Sequence, residues 1–567
     1  MSTTEPRDAQ PSDESPAWLP ETSRRKFLLS TLAVAAGASA IVGSAAARPA
    51  RSQGAATKGV KGATKTSATL AISGPVRTID PDGKDQNYIP SLSAMWACCD
   101  NLVNFSVPKD FATAQDLAAK GLKPQPLLAE SWTVTKGGTV YTFKLRKGVM
   151  SQYGNELTAD GVVWMVEKTL AAKATGAFLG GVIMGLADKS QVKALDKYTV
   201  QFTLKAPSTT FLLGLGLPWF PVYDTVEVKK HITADDPYAA KWLAKNTAGF
   251  GPYMIESIGV GGNVTRLKAR SDYWGAQPIP SIVQQNVSDP SARLQLILKG
   301  SANYAEQLSA LQMKQVEKKG GQLTRFTSTT GSMLILGLKA PFDDPKIRQA
   351  VAKAIPYDDI VKVVYQGNPA VQAWKSPFAP WVQGYTDAYG YSTDAAAAAA
   401  GLASIKGTKL TLSYSGSEGA AEQITIVLQS ALNKAGLDVS LEKLLDADYV
   451  QKINKRTLPN FIATVQGPPL FPIPSYYFQL LFSKTGFNNY NGSASPAIEA
   501  LSPKMLAAAT PAQSIALAKQ GQKIVMNDLP IIPIAYTGEV RATTKGLSIE
   551  RSHTGNGLLY WQDFAWA

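Results

Sequence analysis

GSMLILGLKAPFDDPKIRQAVAKAIPYDDIVKVVYQG runs from Gly331 to Gly367 and joins three local signals. Met333-Leu334-Ile335-Leu336-Gly337-Leu338 is a short apolar run of the length and composition of a buried strand. Pro341 and Phe342 end it, and Asp343-Asp344-Pro345 then forms a helix start. There a carboxylate can cap free N–H groups, and a proline stands where its missing donor costs nothing. Ile347, Val351 and Ile355 follow at four-residue spacing with Ala350 and Ala354 between them, so one face of this helix is apolar. Pro356 breaks it, Tyr357-Asp358-Asp359 starts a second helix, and Gly367 stops that one. Physics alone predicts a strand–helix–helix unit inside an α/β domain.

The same string, with Phe342, Asp343, Asp344, Ile347, Arg348, Gln349 and Ala350 in place, is similar to the hinge-crossing signature of the peptide-class solute-binding proteins. These are the family 5 (oligopeptide, dipeptide and nickel type) extracytoplasmic receptors of ABC importers. Pro356 departs from the aspartate usual there. Other blocks match in order. PLLAESW (126–132), YTFKLR (141–146), KGV (147–149) and LTAD (157–160) resemble a long family block, with departures at Ser151-Gln152-Tyr153 and Gly161. Gly249-Phe250-Gly251-Pro252-Tyr253 resembles a G-T-G-P-Y turn whose glycines admit close backbone approach. RSDYWG (270–275), the element holding Asp289, Ala292, Leu296 and Gly300, and the return strand at 529–534 follow.

The resemblance spans roughly 68–563. It implies an α/β, two-lobed periplasmic-binding-protein fold of class II, the large three-domain peptide-receptor type, with mixed sheets and a hinge. The expected division is 68–110, 206–333 and 529–567 as lobe one, 111–205 as its accessory subdomain, and 334–528 as lobe two. Within lobe two, Asp394 caps an Ala-rich helix over 395–403. The strand 410–414, a helix to Asn433 and the strand opened by Ala435-Gly436-Leu437-Asp438-Val439 make a βαβ unit.

Composition limits the alternatives. The chain has 567 residues and is 45% apolar and 18% charged, as a globular protein of two or three domains should be. A net charge of +14 suggests anionic partners, but apart from Arg24-Arg25-Lys26 the basic residues are scattered, so a diffuse positive surface is expected and no nucleic acid. The only cysteines, Cys98 and Cys99, are adjacent, a poor geometry for a disulfide, and read as buried thiols. Two isolated histidines, His231 and His553, offer neither a His-based metal site nor a Ser–His pair, and no G-x-S-x-G or H-E-x-x-H occurs. No enzyme activity, metal or cofactor is expected.

Before the folded region lie a polar segment over 1–22, then Ser23-Arg24-Arg25-Lys26-Phe27-Leu28 and a mildly apolar run ending in Ala45-Ala46-Ala47. This pattern predicts a twin-arginine signal peptide over 1–47, with Arg24 and Arg25 read by the export machinery and cleavage after Ala47. A transmembrane anchor is the competing reading, disfavoured by weak hydrophobicity. No cysteine follows the run, so no lipid anchor is expected. Residues 48–67 read as a flexible leader, and the product as a periplasmic monomer.

Ligand sites between α/β lobes lie at strand ends and crossovers. Candidates are the loop holding Ser415, Gly416 and Glu418; Trp374, a stacking surface after Gly367; and Thr464–Phe478, with Gln466, Gly467, Phe471 and Tyr476. In the peptide receptors that last region carries an aspartate pairing with the ligand's amino terminus; here no acidic residue occurs between Asp448 and Glu499. The expected ligand therefore lacks a cationic amino terminus, unless Asp80 or Glu418 supplies the carboxylate. The function expected is solute capture for an ABC permease; the alternatives are an exported hydrolase, or a sensor or chaperone on the same fold.

Overall fold

In the computed structural model, which describes residues 66–83, 88–105, 107–108, 123–276, 278–326, 331–368, 371–463, 473–486, 488–493, 495–508, 511–549, 551–552 and 558–567, Gly331–Ile335 is a strand buried at every position. It lies antiparallel between Phe461–Ala463 and Ile531–Tyr536. Leu334 faces one core while Met333 and Ile335 face another, so burial on both sides explains an apolar run without alternation. The helix Pro345–Ala354 begins as expected: the Asp344 carboxylate accepts the Lys346 N–H at 2.8 Å, and Pro345 occupies the first turn. Past the break at Pro356 come the turn Tyr357–Asp359 and the wider-wound Ile360–Val364, and Gly367 takes φ +62°.

Two mixed sheets organise the rest. The larger has seven strands in the spatial order Gln322–Phe326, Glu539–Thr543, Tyr304–Ala305, Ser67–Ile72, Ser281–Asn286, Val264–Ala269, Tyr253–Ile258. Ser67–Ile72 is parallel to both its neighbours, and the other pairs are antiparallel. The second has six, ordered Gln372–Ala373, Ile531–Tyr536, Gly331–Ile335, Phe461–Ala463, Lys409–Ser415, Asp438–Leu444. Its parallel pair Lys409–Ser415 and Asp438–Leu444 is joined through the helix Ala421–Lys434, the βαβ unit read from the sequence. The chain passes from the first sheet to the second between Phe326 and Gly331 and returns between Tyr536 and Glu539. A four-stranded antiparallel sheet, Ala129–Thr135, Val140–Leu145, Thr199–Thr203 and Val192–Asp196, packs against the helix Ala159–Ala172.

This is a two-lobed α/β architecture, with one continuous core shared by the seven- and four-stranded sheets and a core on each face of the six-stranded sheet. The segment Pro474–Phe482 reaches across: Tyr476 and Leu480 belong to the first core, and Tyr477, Phe478, Leu481 and Phe482 to one on the six-stranded sheet. The 249–253 turn is as tight as its glycines suggest, since a Cβ on Gly251 would lie 2.5 Å from the carbonyl carbon of Cys98. Cys98 and Cys99 are free, buried thiols, held up by burial. The Ala-rich helix ends at Gly401, earlier than expected, and a 3₁₀ turn over Ala403–Ile405 replaces its last residues. Among the described residues no helix is long and apolar enough to cross a membrane.

Candidate functional site

A cavity of about 160 Å³ lies where the two sheets meet. One wall is Tyr304, Glu306, Gln307 and Leu308, the end of the short strand Tyr304–Ala305 and its continuation. The opposite wall is Glu418-Gly419-Ala420, which leads from the six-stranded sheet into the helix Ala421–Lys434. Thr537 and Gly538, on the return crossing, and Tyr365 and Asn368, beside the Gly367 stop, close the sides. The site thus gathers four segments remote in sequence at the point where the chain changes sheets, as ligand sites of α/β proteins do.

Its chemistry is that of recognition. Glu306 is buried, and its Oε1 accepts the Ser73 N–H at 3.2 Å and the Ser73 hydroxyl at 2.6 Å. Burial pushes this carboxyl above its ordinary range, while the Ser73 bonds and the nearby Arg293 pull the other way. Arg541 donates to Glu539 at 2.8 and 2.5 Å and to the Leu558 carbonyl at 2.9 Å. Tyr365 shares a 2.5 Å hydrogen bond with the Ser332 hydroxyl. Gln307 adopts the left-handed φ of +51°, and its amide oxygen is enclosed without a hydrogen-bond partner among the described residues. Hydroxyls, carboxylates and an amide around an apolar rim suit a polar solute. Among the described residues no group of three or more His, Cys, Asp or Glu side chains is placed to hold a metal.

Of the candidates read from the sequence, Glu418 lines this cavity and is 6% exposed. Ser415 points elsewhere: its hydroxyl and that of Ser417 both bond Asp446 Oδ1 at 3.1 Å and each other at 2.8 Å. Gly416 donates its N–H to the Leu444 carbonyl at 2.9 Å and stays outside the lining. Trp374 is 3% exposed, gives its indole N–H to the Phe378 carbonyl at 2.7 Å and stands edge-on to Tyr536. It is packed into the core behind the strand rather than offered for stacking. Tyr476 is buried in the larger core. Asp80 sits under Lys168, whose ammonium bonds Asp80 Oδ1 at 2.6 Å and Asp82 Oδ2 at 2.7 Å, and does not reach the cavity. Gln466, Gly467 and Phe471 lie outside the described residues, as do Arg24, Arg25 and Ala47.

Sequence reasoning missed Glu306, Gln307, Tyr365 and Arg541. The nearest signal was the element at 281–300, which leads into Tyr304–Ala305 and ends at the cavity wall. Gly367, read only as a helix stop, also marked the turn that carries Asn368 to the rim.

Comparison with known proteins agrees with this architecture. Residues 123–489 match the family described as bacterial extracellular solute-binding proteins, family 5 Middle. The chain is 29% identical over 411 residues to the probable D,D-dipeptide-binding periplasmic protein DdpA of Escherichia coli K12, covering 71% of this chain and 77% of that one. Among solved structures it is similar to the ABC transporter-associated periplasmic binding protein DppA of Helicobacter pylori in complex with the peptide STSA, at a TM-score of 0.75 and 23% identity over 88% of this chain and 98% of that one. It is also similar to the binding protein MoaA of A. tumefacien R10 in complex with mannopinic acid, at a TM-score of 0.74 and 22% identity over 89% and 100% of the two chains.

Proposed function

The chain belongs to the family 5 bacterial extracellular solute-binding proteins, the peptide-class receptors of ABC importers, and on that premise we propose that it captures an oligopeptide-like or other medium-sized solute between its lobes and presents it to permease subunits. The observation that carries this reading is the cavity at the meeting of the two sheets, walled from both and flanked by the return crossing. Lobe one is 68–326 with 539–567, including an accessory subdomain at 111–205, and lobe two is 331–536, wider at both ends than the division expected from the sequence because Gly331–Ile335 and Ile531–Tyr536 both belong to the six-stranded sheet. Closure of two such bodies on a guest is a hinge motion that selects the liganded state.

The solute lacks a free cationic amino terminus: the absence of acidic residues between Asp448 and Glu499 supports this. Glu306 and Glu418 favour a second reading, in which an amine is received at the cavity itself. The twin-arginine signal at Arg24 and Arg25, cleaved after Ala47, delivers a periplasmic monomer. A hydrolase lacks any motif in its favour; a sensor built on this fold differs in its membrane partner.

Native mass spectrometry of gently purified protein tests the core of the proposal. A retained small molecule that dissociates on unfolding is the expected result. Absence of any retained mass, with no binding of free or N-acetylated peptides by calorimetry, would refute it. A mature product starting at Arg48, lost when Arg24 and Arg25 are both replaced by lysine, is expected for the export route.

A further inference from the structure

Arg293 lies on the helix Pro290–Leu298, behind the cavity wall, and is 0% exposed. Its guanidinium has five N–H donors, and five carbonyls meet them. Nε donates to Glu306 at 2.8 Å, one terminal nitrogen to Val287 at 2.7 Å and Ser288 at 3.0 Å, and the other to Gln307 at 3.3 Å and Ser417 at 2.8 Å. Four of these carbonyls belong to the side of the seven-stranded sheet. The fifth, Ser417, belongs to the loop after Lys409–Ser415 in the six-stranded sheet. Arg293 therefore grips both cavity walls at once, immediately beside Glu306 and Gln307 on one and Glu418 on the other.

Two further contacts lie along the same line. Tyr88 donates its hydroxyl to Asp446 at 3.2 Å, and Asp446 in turn holds the hydroxyls of Ser415 and Ser417. At Gly419 the two backbones touch: an added Cβ would lie 2.5 Å from the Ser309 nitrogen and 3.0 Å from both the Gln307 oxygen and the Leu308 carbonyl carbon. Backbone on both sides leaves nothing flexible to give way. Gly419 is not in the left-handed region, so a methyl group there is objectionable only because the other lobe is close.

We propose that Arg293 is a positioning residue that sets the closed cavity, clamping the Ser417–Gly419 loop onto Gln307–Ser309 along a seam that only a residue without a side chain at 419 permits. The proposal rests on the two-lobed capture reading and adds where closure is held. Opening the lobes withdraws the Ser417 carbonyl from a buried guanidinium donor, a charge-assisted bond, and separates the Gly419 contact.

The test uses the gently purified protein with any solute it retains. Nitroxides on Lys299→Cys and Lys455→Cys, both exposed and at the ends of the helices Pro290–Leu298 and Asp446–Asn454 in opposite lobes, report the inter-lobe distance by double electron–electron resonance, while native Cys98 and Cys99 are buried. The parent should give a single short distance. Gly419→Ala should shift it to longer values with an unchanged melting temperature and at least a tenfold loss of any retained solute. Arg293→Lys, which keeps the charge but loses the fork, should shift it in the same direction. Arg293 also ties four carbonyls within its own lobe, so Gly419→Ala decides the matter if that variant misfolds. A parent distribution as broad as the variants', or a Gly419→Ala distribution superimposing on the parent's, overturns the proposal. A protein that captures nothing yet closes as described would sink the capture reading alone.

Discussion

Asp100 is 1% exposed and has donors for one oxygen only. Oδ2 receives the Tyr273 hydroxyl at 3.0 Å and the Trp274 indole N–H at 3.3 Å, while Oδ1 is enclosed without a partner among the described residues. Burial outweighs the two bonds and lifts this carboxyl from 3.8 to about 7. Between those values the folded protein holds a proton that the unfolded chain has released, so this group's contribution to stability falls as pH rises through that window and then levels off. Each unit is about 1.4 kcal/mol, so a loss of a few kcal/mol between pH 4 and pH 7 is expected. Asp100→Asn keeps the acceptor and removes the charge. Its melting temperature should exceed the parent's at pH 7 and converge with it near pH 4; parallel curves would refute the assignment. Lys168 shows the opposite hazard. It is fully buried between Asp80 and Asp82, and Lys168→Met would leave two carboxylates facing each other in the core, at a cost of about 3–5 kcal/mol by urea denaturation.

The helix Pro345–Ala354 shows what a family signature does physically. Arg348 donates to the carbonyls of Phe342 at 2.7 Å, Asp343 at 2.9 Å and Asp528 and Leu529 at 3.0 Å, and Gln349 reaches the Asn527 carbonyl at 2.7 Å. Arg348 and Gln349, early in the helix Pro345–Ala354, thus serve Asp528 and Asn527, last carbonyls of the helix Pro511–Asp528, which lack intrahelical partners. Arg348→Met should lower stability by about 3 kcal/mol, and Arg348→Lys should recover less than half of that, because an ammonium cannot fork across two segments; a midpoint unchanged in urea would exclude the role. Elements of this kind were legible because their signals are local: a capping carboxylate, a proline at the first turn, four-residue apolar spacing, a glycine stop. The same locality explains where reading failed. Asp80 looked available for a ligand because its partner, Lys168, lies 88 residues away. Trp374 looked like a stacking surface because nothing near it in sequence announces the strand it packs behind. In the 415–418 loop the composition was right for a site, but only Glu418 faces the cavity, the serine hydroxyls being spent on Asp446.

At the scale of the whole molecule the cavity exists only because two sheets, joined by two chain crossings, bring Glu306, Tyr365, Glu418 and Thr537 together, and no periodicity in any one segment records that. What the segment between Asp448 and Glu499 does record is an absence of acid, and pH separates the two readings of the solute that follow. Glu306 is held protonated to higher pH than an ordinary glutamate by its burial. A cationic group docking against it must displace that proton, so affinity would rise with pH through the raised value, by at most tenfold per unit for one proton. An uncharged solute buries the carboxyl further and favours the protonated form, so its affinity is level or falls over the same range. Calorimetry of the retained solute from pH 4.5 to 8 is therefore expected to give a flat or declining affinity, unchanged in slope by N-acetylation of peptide probes. If affinity instead climbs with pH and Glu306→Gln abolishes the climb, the amine is read at the cavity wall from the seven-stranded sheet. The missing aspartate of the 464–478 region would then have been replaced by a carboxylate from the opposite lobe.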